Sequence, residues 1–307
     1  MNPRSARRAT NIPPMRSSLL AVAFIVACGG GDDAIDPGDG DGGVIGDGDA
    51  SMVDAVPSGG CGTPQASGVQ NGTIDVAGTA RTYVLFVPAG YDAMRPTPLV
   101  FAWHGRTGTA ANARAYFGIE AAAAGAAIIV YPQGLPVSSD PNDTGWELTA
   151  NGRDLAFYDA LSARLRDTYC IGPAYSMGHS FGGYMSNAVA CYRGGVDPGE
   201  VRAIAPVAGG GPFGQCPGDP VSAVVMHGMN DSVVPFTQGE ASRDFWRADA
   251  SCDTASTPID PSPCVAYAGC DGGRTVRFCA HADTAFGGHG WPSWAARAAW
   301  DLFVATP

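Results

Sequence analysis

Apolar positions between residues 61 and 307 fall into two kinds of run that alternate along the chain. Pro98–Trp103, Ala126–Tyr131, Tyr175–Met177, Val201–Val207 and Val221–Met226 are short and almost continuously apolar. Runs of that length and uniformity predict strands buried on both faces of a parallel sheet. Between them the period changes. Asp154–Leu165 carries Leu155, Tyr158, Leu161 and Leu165 at helical spacing, and Ser180–Cys191, Gly239–Arg247 and Trp294–Val304 predict further helices. Ile74–Val87 alternates about Ala77-Gly78 and predicts an opening hairpin. Strand and helix in alternation predict an α/β fold, a mostly parallel sheet flanked by helices and joined by right-handed crossovers. There is no internal repeat.

The first 60 residues follow neither pattern. Arg4, Arg7, Arg8 and Arg16, with no acidic neighbour, precede the apolar run Leu19–Ala27, which is short for a membrane span and reads as an export signal over residues 1–27. Ile25-Val26-Ala27-Cys28 resembles the lipobox of bacterial lipoprotein signals and makes Cys28 the expected lipidated N-terminus; the alternative is an ordinary secretory signal. Residues 28–60 are Gly-rich, hold eight aspartates and lack aromatics, which predicts a flexible tether that cannot bury enough surface to fold. Asp39-Gly40-Asp41 resembles part of a calcium loop but lacks the closing glutamate, so no metal is expected there. The expected organisation is signal 1–27, tether 28–60 and catalytic domain 61–307, in a protein that is secreted and lipid-anchored to a bacterial membrane, facing the periplasm or the exterior.

Charge and cysteine count narrow the function. The net charge is −11 and all 18 basic residues are arginine. A chain without a basic patch is a poor nucleic-acid ligand, and one without lysine cannot form a Schiff base or a P-loop. The only membrane association expected is through the lipid. Nine cysteines become eight once Cys28 is set aside: Cys61, Cys170, Cys191, Cys216, Cys252, Cys264, Cys270 and Cys279. An even set behind an export signal predicts up to four disulfides. No pair has C-x-x-C spacing, so a zinc site is not indicated.

Candidate chemistry converges on Gly178-His179-Ser180-Phe181-Gly182, which matches G-x-S-x-G between a predicted strand and a predicted helix, the setting of a nucleophile elbow. Ser180 needs a base, and the base an orienting acid. Asp231 follows the strand-like Val224–Met226 in a loop. Among five histidines, His104, His179 and His227 sit in contexts that explain them structurally, and His281 ends an apolar run. His289 lies in the Gly-rich Phe286–Pro292 segment, after the acid in chain order, and is the expected base. An oxyanion requires two pre-aimed N–H donors. Phe181 supplies one, and Arg106 or Thr107, after the strand ending at Trp103, the other. Trp103, His179 and Trp291 are candidate pocket residues. No motif implies a metal or an organic cofactor.

With these residues in place the domain resembles the secreted α/β-hydrolases grouped as polyhydroxybutyrate depolymerases and feruloyl esterases. The likeness rests on Gly60-Cys61-Gly62-Thr63-Pro64, Arg81-Thr82-Tyr83, Tyr131-Pro132-Gln133-Gly134, Gly145-Trp146 and Arg153-Asp154-Leu155, besides the elbow. It implies an α/β-hydrolase fold and a serine carboxylic ester hydrolase acting through an acyl-enzyme. Feruloyl-type esters on plant polysaccharide are the leading substrate reading; a polyester depolymerase and an inactive surface binding protein are the alternatives. It also implies the pairs Cys61–Cys170 and Cys191–Cys216, the last four cysteines pairing among themselves. Phe181 and Arg106 depart from the usual residues at their positions. The expected partner is an ester, possibly polymeric, met by a monomer.

Overall fold

The alternation about Ala77-Gly78 becomes a hairpin of β1 (Gly68–Val76) and β2 (Thr79–Val87), closed by two residues of positive φ. The computed structural model describes residues 58–306. All described residues belong to one compact unit. The export signal, Cys28 and the tether as far as residue 57 lie outside the described residues. The tether boundary expected after residue 60 falls too late. The Ser58 hydroxyl donates to the Tyr169 carbonyl and accepts from the Ile171 N–H, and the Gly60 N–H donates to the Arg166 carbonyl. Ser58 is therefore already part of the fold.

The continuous apolar runs become β3 (Thr97–Trp103), β4 (Ile128–Pro132), β7 (Ile171–His179), β8 (Val201–Val207) and β9 (Ser222–Gly228). With β12 (Val276–His281) they form a parallel block in the order β4-β3-β7-β8-β9-β12. The hairpin joins one edge antiparallel through β2, and β11 (Cys264–Tyr267) and β10 (Ser256–Pro258) continue the other edge antiparallel. A small separate hairpin pairs β5 (Leu135–Pro136) with β6 (Thr144–Gly145).

Helices cover both faces, which is why the strands read as unbroken apolar runs. On β3, Leu99, Phe101 and Trp103 point into a core shared with α3 (Arg153–Thr168), α4 (Phe181–Arg193) and α5 (Phe236–Asp249). Val100 and Ala102 point the other way, against α1 (Ala110–Phe117), α2 (Ile119–Ala123) and α6 (Ala295–Phe303). No helix among the described residues is long and apolar enough to cross a membrane.

Four disulfides join Cys61–Cys170, Cys191–Cys216, Cys252–Cys270 and Cys264–Cys279. The first ties the entering chain to the start of β7, and the second ties the end of α4 to the loop after β8. In the sheet, Trp103 stands opposite Gly178 and His179 opposite Val207, so the loops after β3, β7 and β8 leave the sheet at one level. Ligands of open α/β sheets bind at this carboxyl edge.

Candidate active site

Ser180 is the turn between β7 and α4, at φ 55° and ψ −120°. A non-glycine residue holds such a backbone only where its surroundings over-determine it. Here the Ser180 N–H donates to the Val207 carbonyl, and the Ser180 carbonyl accepts from the N–H groups of Gly183 and Tyr184. Gly182 has to be glycine, because a Cβ there would lie on the Trp103 carbonyl oxygen. The G-x-S-x-G spacing is thus a packing requirement for lifting one hydroxyl above the sheet edge. The half-buried Ser180 Oγ has no hydrogen-bond partner among the described residues.

Asp231 and His289 meet across the loops after β9 and β12. The His289 Nδ1 donates to Asp231 Oδ2 over 2.8 Å, while Asp231 Oδ1 accepts from the N–H groups of Val233 and Val234, each at 2.8 Å. With Nδ1 carrying the proton, His289 Nε2 keeps its lone pair. Burial is the largest single influence on Asp231 and opposes ionisation. The His289 hydrogen bond and the two backbone donors outweigh it, and the carboxyl sits below its ordinary value. His227 flanks the pair, its Nε2 3.4 Å from Asp231 Oδ2 and donating to the Val234 carbonyl at 3.0 Å; burial lowers its pKa. The base loop can lie this close because Gly288 has no Cβ, which would stand 2.7 Å from the Asn230 carbonyl carbon. His281 makes no hydrogen bond to the Asp231 carboxylate; both its ring nitrogens are buried without a hydrogen-bond partner among the described residues, and Nδ1 stands 3.8 Å from Asp283 Oδ2. Ser180 and His289 are not hydrogen-bonded to each other in this geometry.

The two expected second donors separate. The Thr107 N–H donates to the Thr144 carbonyl at 2.9 Å and cannot serve an oxyanion, which corrects that half of the expectation. The N–H groups of Arg106 and Phe181 have no acceptor among the described residues. Gly105, just before Arg106, lies against the elbow, with its Cβ direction 3.3 Å from Ser180 Cβ. The Arg106 side chain points out to Asp143 in two hydrogen bonds of 2.6 and 2.7 Å. His104, which the pattern analysis placed as structural, pins this loop. Its Nδ1 donates to the Gly105 carbonyl at 2.7 Å and its Nε2 accepts from the Gly134 N–H at 2.9 Å. Burial lowers its pKa to about 4.

Of the three candidate pocket residues, Trp103 is overturned. It is fully buried in the α3–α4 core and its indole N–H donates to Ser176 Oγ. Its alternation with Leu99 and Phe101 carried that signal. Trp291 is half-buried and stacks on Phe117 at 4.3 Å. Both ring nitrogens of His179 are taken by protein, Nε2 donating to the His289 carbonyl at 2.7 Å and Nδ1 accepting from the Tyr116 hydroxyl at 3.1 Å. Burial, the largest influence, brings its pKa down to about 4. Tyr116 was not anticipated, because it lies in a helix that the apolar pattern did not reveal. A separate cleft of 490 Å³ between α3 and the α4–β8 connection holds none of these side chains.

The arrangement joins a half-buried hydroxyl, an imidazole hydrogen-bonded to a carboxylate, and two N–H groups without an acceptor among the described residues. That set suits acyl transfer. No protein-family model matches the chain. Feruloyl esterase C of Emericella nidulans is 36% identical over 210 residues, covering 65% of this chain and 72% of that protein. Feruloyl esterase D of Neurospora crassa is 30% identical over 252 residues, covering 75% and 83%. Among solved structures, acetyl xylan esterase from Aspergillus awamori superposes with a TM-score of 0.55 at 15% identity, covering 73% of this chain and all of that one. A ferulic acid esterase gives 0.52 at 15% identity, covering 78% and 96%. The structural likeness speaks for the fold.

Proposed function

Since the chain belongs to the feruloyl esterase family of α/β-hydrolases, and is on that ground a carboxylic ester hydrolase, we propose that it cleaves feruloyl-type esters through an acyl-enzyme on Ser180. The observation that carries the residue assignment is the 2.8 Å hydrogen bond from His289 Nδ1 to Asp231 Oδ2, set beside an elbow with Ser180 at φ 55°.

In this reading Ser180 Oγ attacks the ester carbonyl carbon as His289 Nε2 takes its proton. Asp231 holds the imidazole in the needed tautomer and stabilises the imidazolium. The negative charge forming on the carbonyl oxygen is met by the N–H groups of Phe181 and Arg106, which have no acceptor among the described residues. His289 returns the proton to the leaving alcohol. Water repeats the sequence to free the acid. No step requires a cofactor.

Support for an aromatic acyl group comes from the rim. Phe213, Met229 and Phe286 stand exposed on the loops after β8, β9 and β12, apolar surface that a phenolic ring can cover. Export is supported by the four disulfides, which persist in oxidising compartments. Lipid attachment at Cys28 rests on the lipobox alone.

The test is a panel of methyl ferulate, acetylated xylan, p-nitrophenyl acetate and polyhydroxybutyrate, with Ser180→Ala as control. Methyl ferulate turnover that vanishes in Ser180→Ala is expected. Cleavage of the polyester without the ferulate would make the protein a depolymerase. No turnover on any ester, with no labelling by a fluorophosphonate, would leave a surface binding protein.

A further inference from the structure

From the hydrogen bonds of His179, we infer that this residue is a positioning group that locks the base loop to the nucleophile elbow. The inference rests on the catalytic reading of Ser180, Asp231 and His289. It differs from the substrate-pocket role that the sequence suggested for His179.

The base loop is held by individual hydrogen bonds rather than by a long helix or strand. Phe286, Gly287 and Gly288 all have positive φ, and a run of such residues belongs to no regular element that could hold His289 by itself. Asp231 fixes the ring at Nδ1. The loop is tied to the acid loop where the Gly287 carbonyl accepts from the Ser232 N–H at 3.0 Å, and to itself where the His289 N–H donates to the Phe286 carbonyl at 3.2 Å, but neither bond ties it to the nucleophile elbow. The carbonyl of His289 is where His179 acts. A carbonyl oxygen only accepts, so the 2.7 Å contact places the proton on His179 Nε2. Nδ1 must then be the acceptor, and the Tyr116 hydroxyl at 3.1 Å donates to it. Tyr116 thereby selects the tautomer that the tie requires.

The other end of the tie is rigid. His179 is the last residue of β7, paired in register with Val207 of β8, and Ser180 follows it directly. The base and the nucleophile are therefore linked by one side chain, through a carbonyl on one residue and a peptide bond to the other. The His179 ring is also enclosed, with Tyr116 and Trp291 each edge-on at 5.9 and 6.0 Å. Its centroid lies 5.1 Å from that of His289. A charged ring at that distance would oppose the imidazolium that forms on His289. Burial keeps His179 neutral and removes that penalty.

The test compares His179→Gln with His179→Met, two side chains of nearly equal size, alongside Tyr116→Phe. Glutamine can donate to the His289 carbonyl and accept from Tyr116; methionine cannot donate, and its thioether accepts only weakly. Misplacing a catalytic group by about 1 Å costs up to roughly 10²-fold, so His179→Met is expected to lose about 10- to 100-fold in kcat with KM within about threefold. His179→Gln should recover most of the loss, and Tyr116→Phe should fall in between. A fluorophosphonate should still label every variant to full stoichiometry, but more slowly in His179→Met. Unchanged kcat in His179→Met, a rise in KM alone, or a glutamine variant no better than methionine would overturn the inference. If His179→Met does not fold, the glutamine variant and Tyr116→Phe decide it, wild-type-like kcat in the first with a loss in the second being required. Ser180→Ala and His289→Ala, run in parallel, separate the outcomes: if they too stay active, the catalytic reading has failed instead.

Discussion

Two opposing forces act on the Asp231 carboxyl, and their balance sets the state of the base. Burial alone would raise its pKa and favour the neutral acid; three hydrogen bonds hold it ionised. Asp231→Asn keeps the shape but removes the charge and can turn an amide donor toward His289, leaving the proton on the wrong nitrogen. A loss of roughly 10³- to 10⁴-fold in kcat, with little change in KM, is expected from steady-state kinetics. Buried histidines set the acid limit of the fold. His104 is neutral in the folded protein with a pKa of about 4 against an ordinary 6.5. Between those values the unfolded chain binds a proton that the folded one does not. The folded state therefore keeps its full advantage above about pH 6.5 and loses it as pH falls toward 4, by up to about 3 kcal/mol for this one group. His179 acts in the same direction. Asp231, with its lowered pKa, adds a further loss near and below pH 4. The melting temperature should be flat from neutral pH to about 6.5 and then decline, and less steeply in His104→Gln, whose amide does not titrate. A flat profile down to pH 4 would contradict this.

At the scale of elements, the parallel strands and the strand–elbow–helix unit were legible because each is set by local apolar order. β8 (Val201–Val207) matches its run residue for residue. Other parts depend on distant partners. β10 is three exposed residues paired only with β11, which is itself paired and disulfide-bonded to β12 through Cys264–Cys279. α1 has a Thr109 cap bonded to the Asn112 N–H, but its alanines blur the apolar period. Arg106 and Thr107 could not be told apart from sequence, because the Thr107 N–H is claimed by Thr144 on a separate hairpin. One disulfide bears on the site at this scale. Cys191–Cys216 joins α4, which begins beside Ser180, to the loop that carries exposed Phe213. Replacing both cysteines by serine is expected to raise KM for methyl ferulate more than it lowers kcat. The reverse split would mean that this loop does not contact substrate.

Across the whole molecule, stability is distributed over links of very different span. Cys61–Cys170 closes 109 residues and Cys264–Cys279 only 15. In the chain-entropy account these are worth about 5 and about 3 kcal/mol. Serine replacement of the first pair should lower the melting temperature most, and alkylation of the unfolded, unreduced protein should label none of the eight domain cysteines. If the short pair proves the costlier to remove, native packing rather than chain entropy governs these bridges.

The central claim, one acyl-enzyme on one serine, is tested most directly by peptide-resolved mass spectrometry after fluorophosphonate treatment. A single adduct on Ser180 is predicted, present in the wild type, absent from Ser180→Ala and formed far more slowly in His289→Ala. An adduct on another residue, or one that survives in Ser180→Ala, would contradict the account.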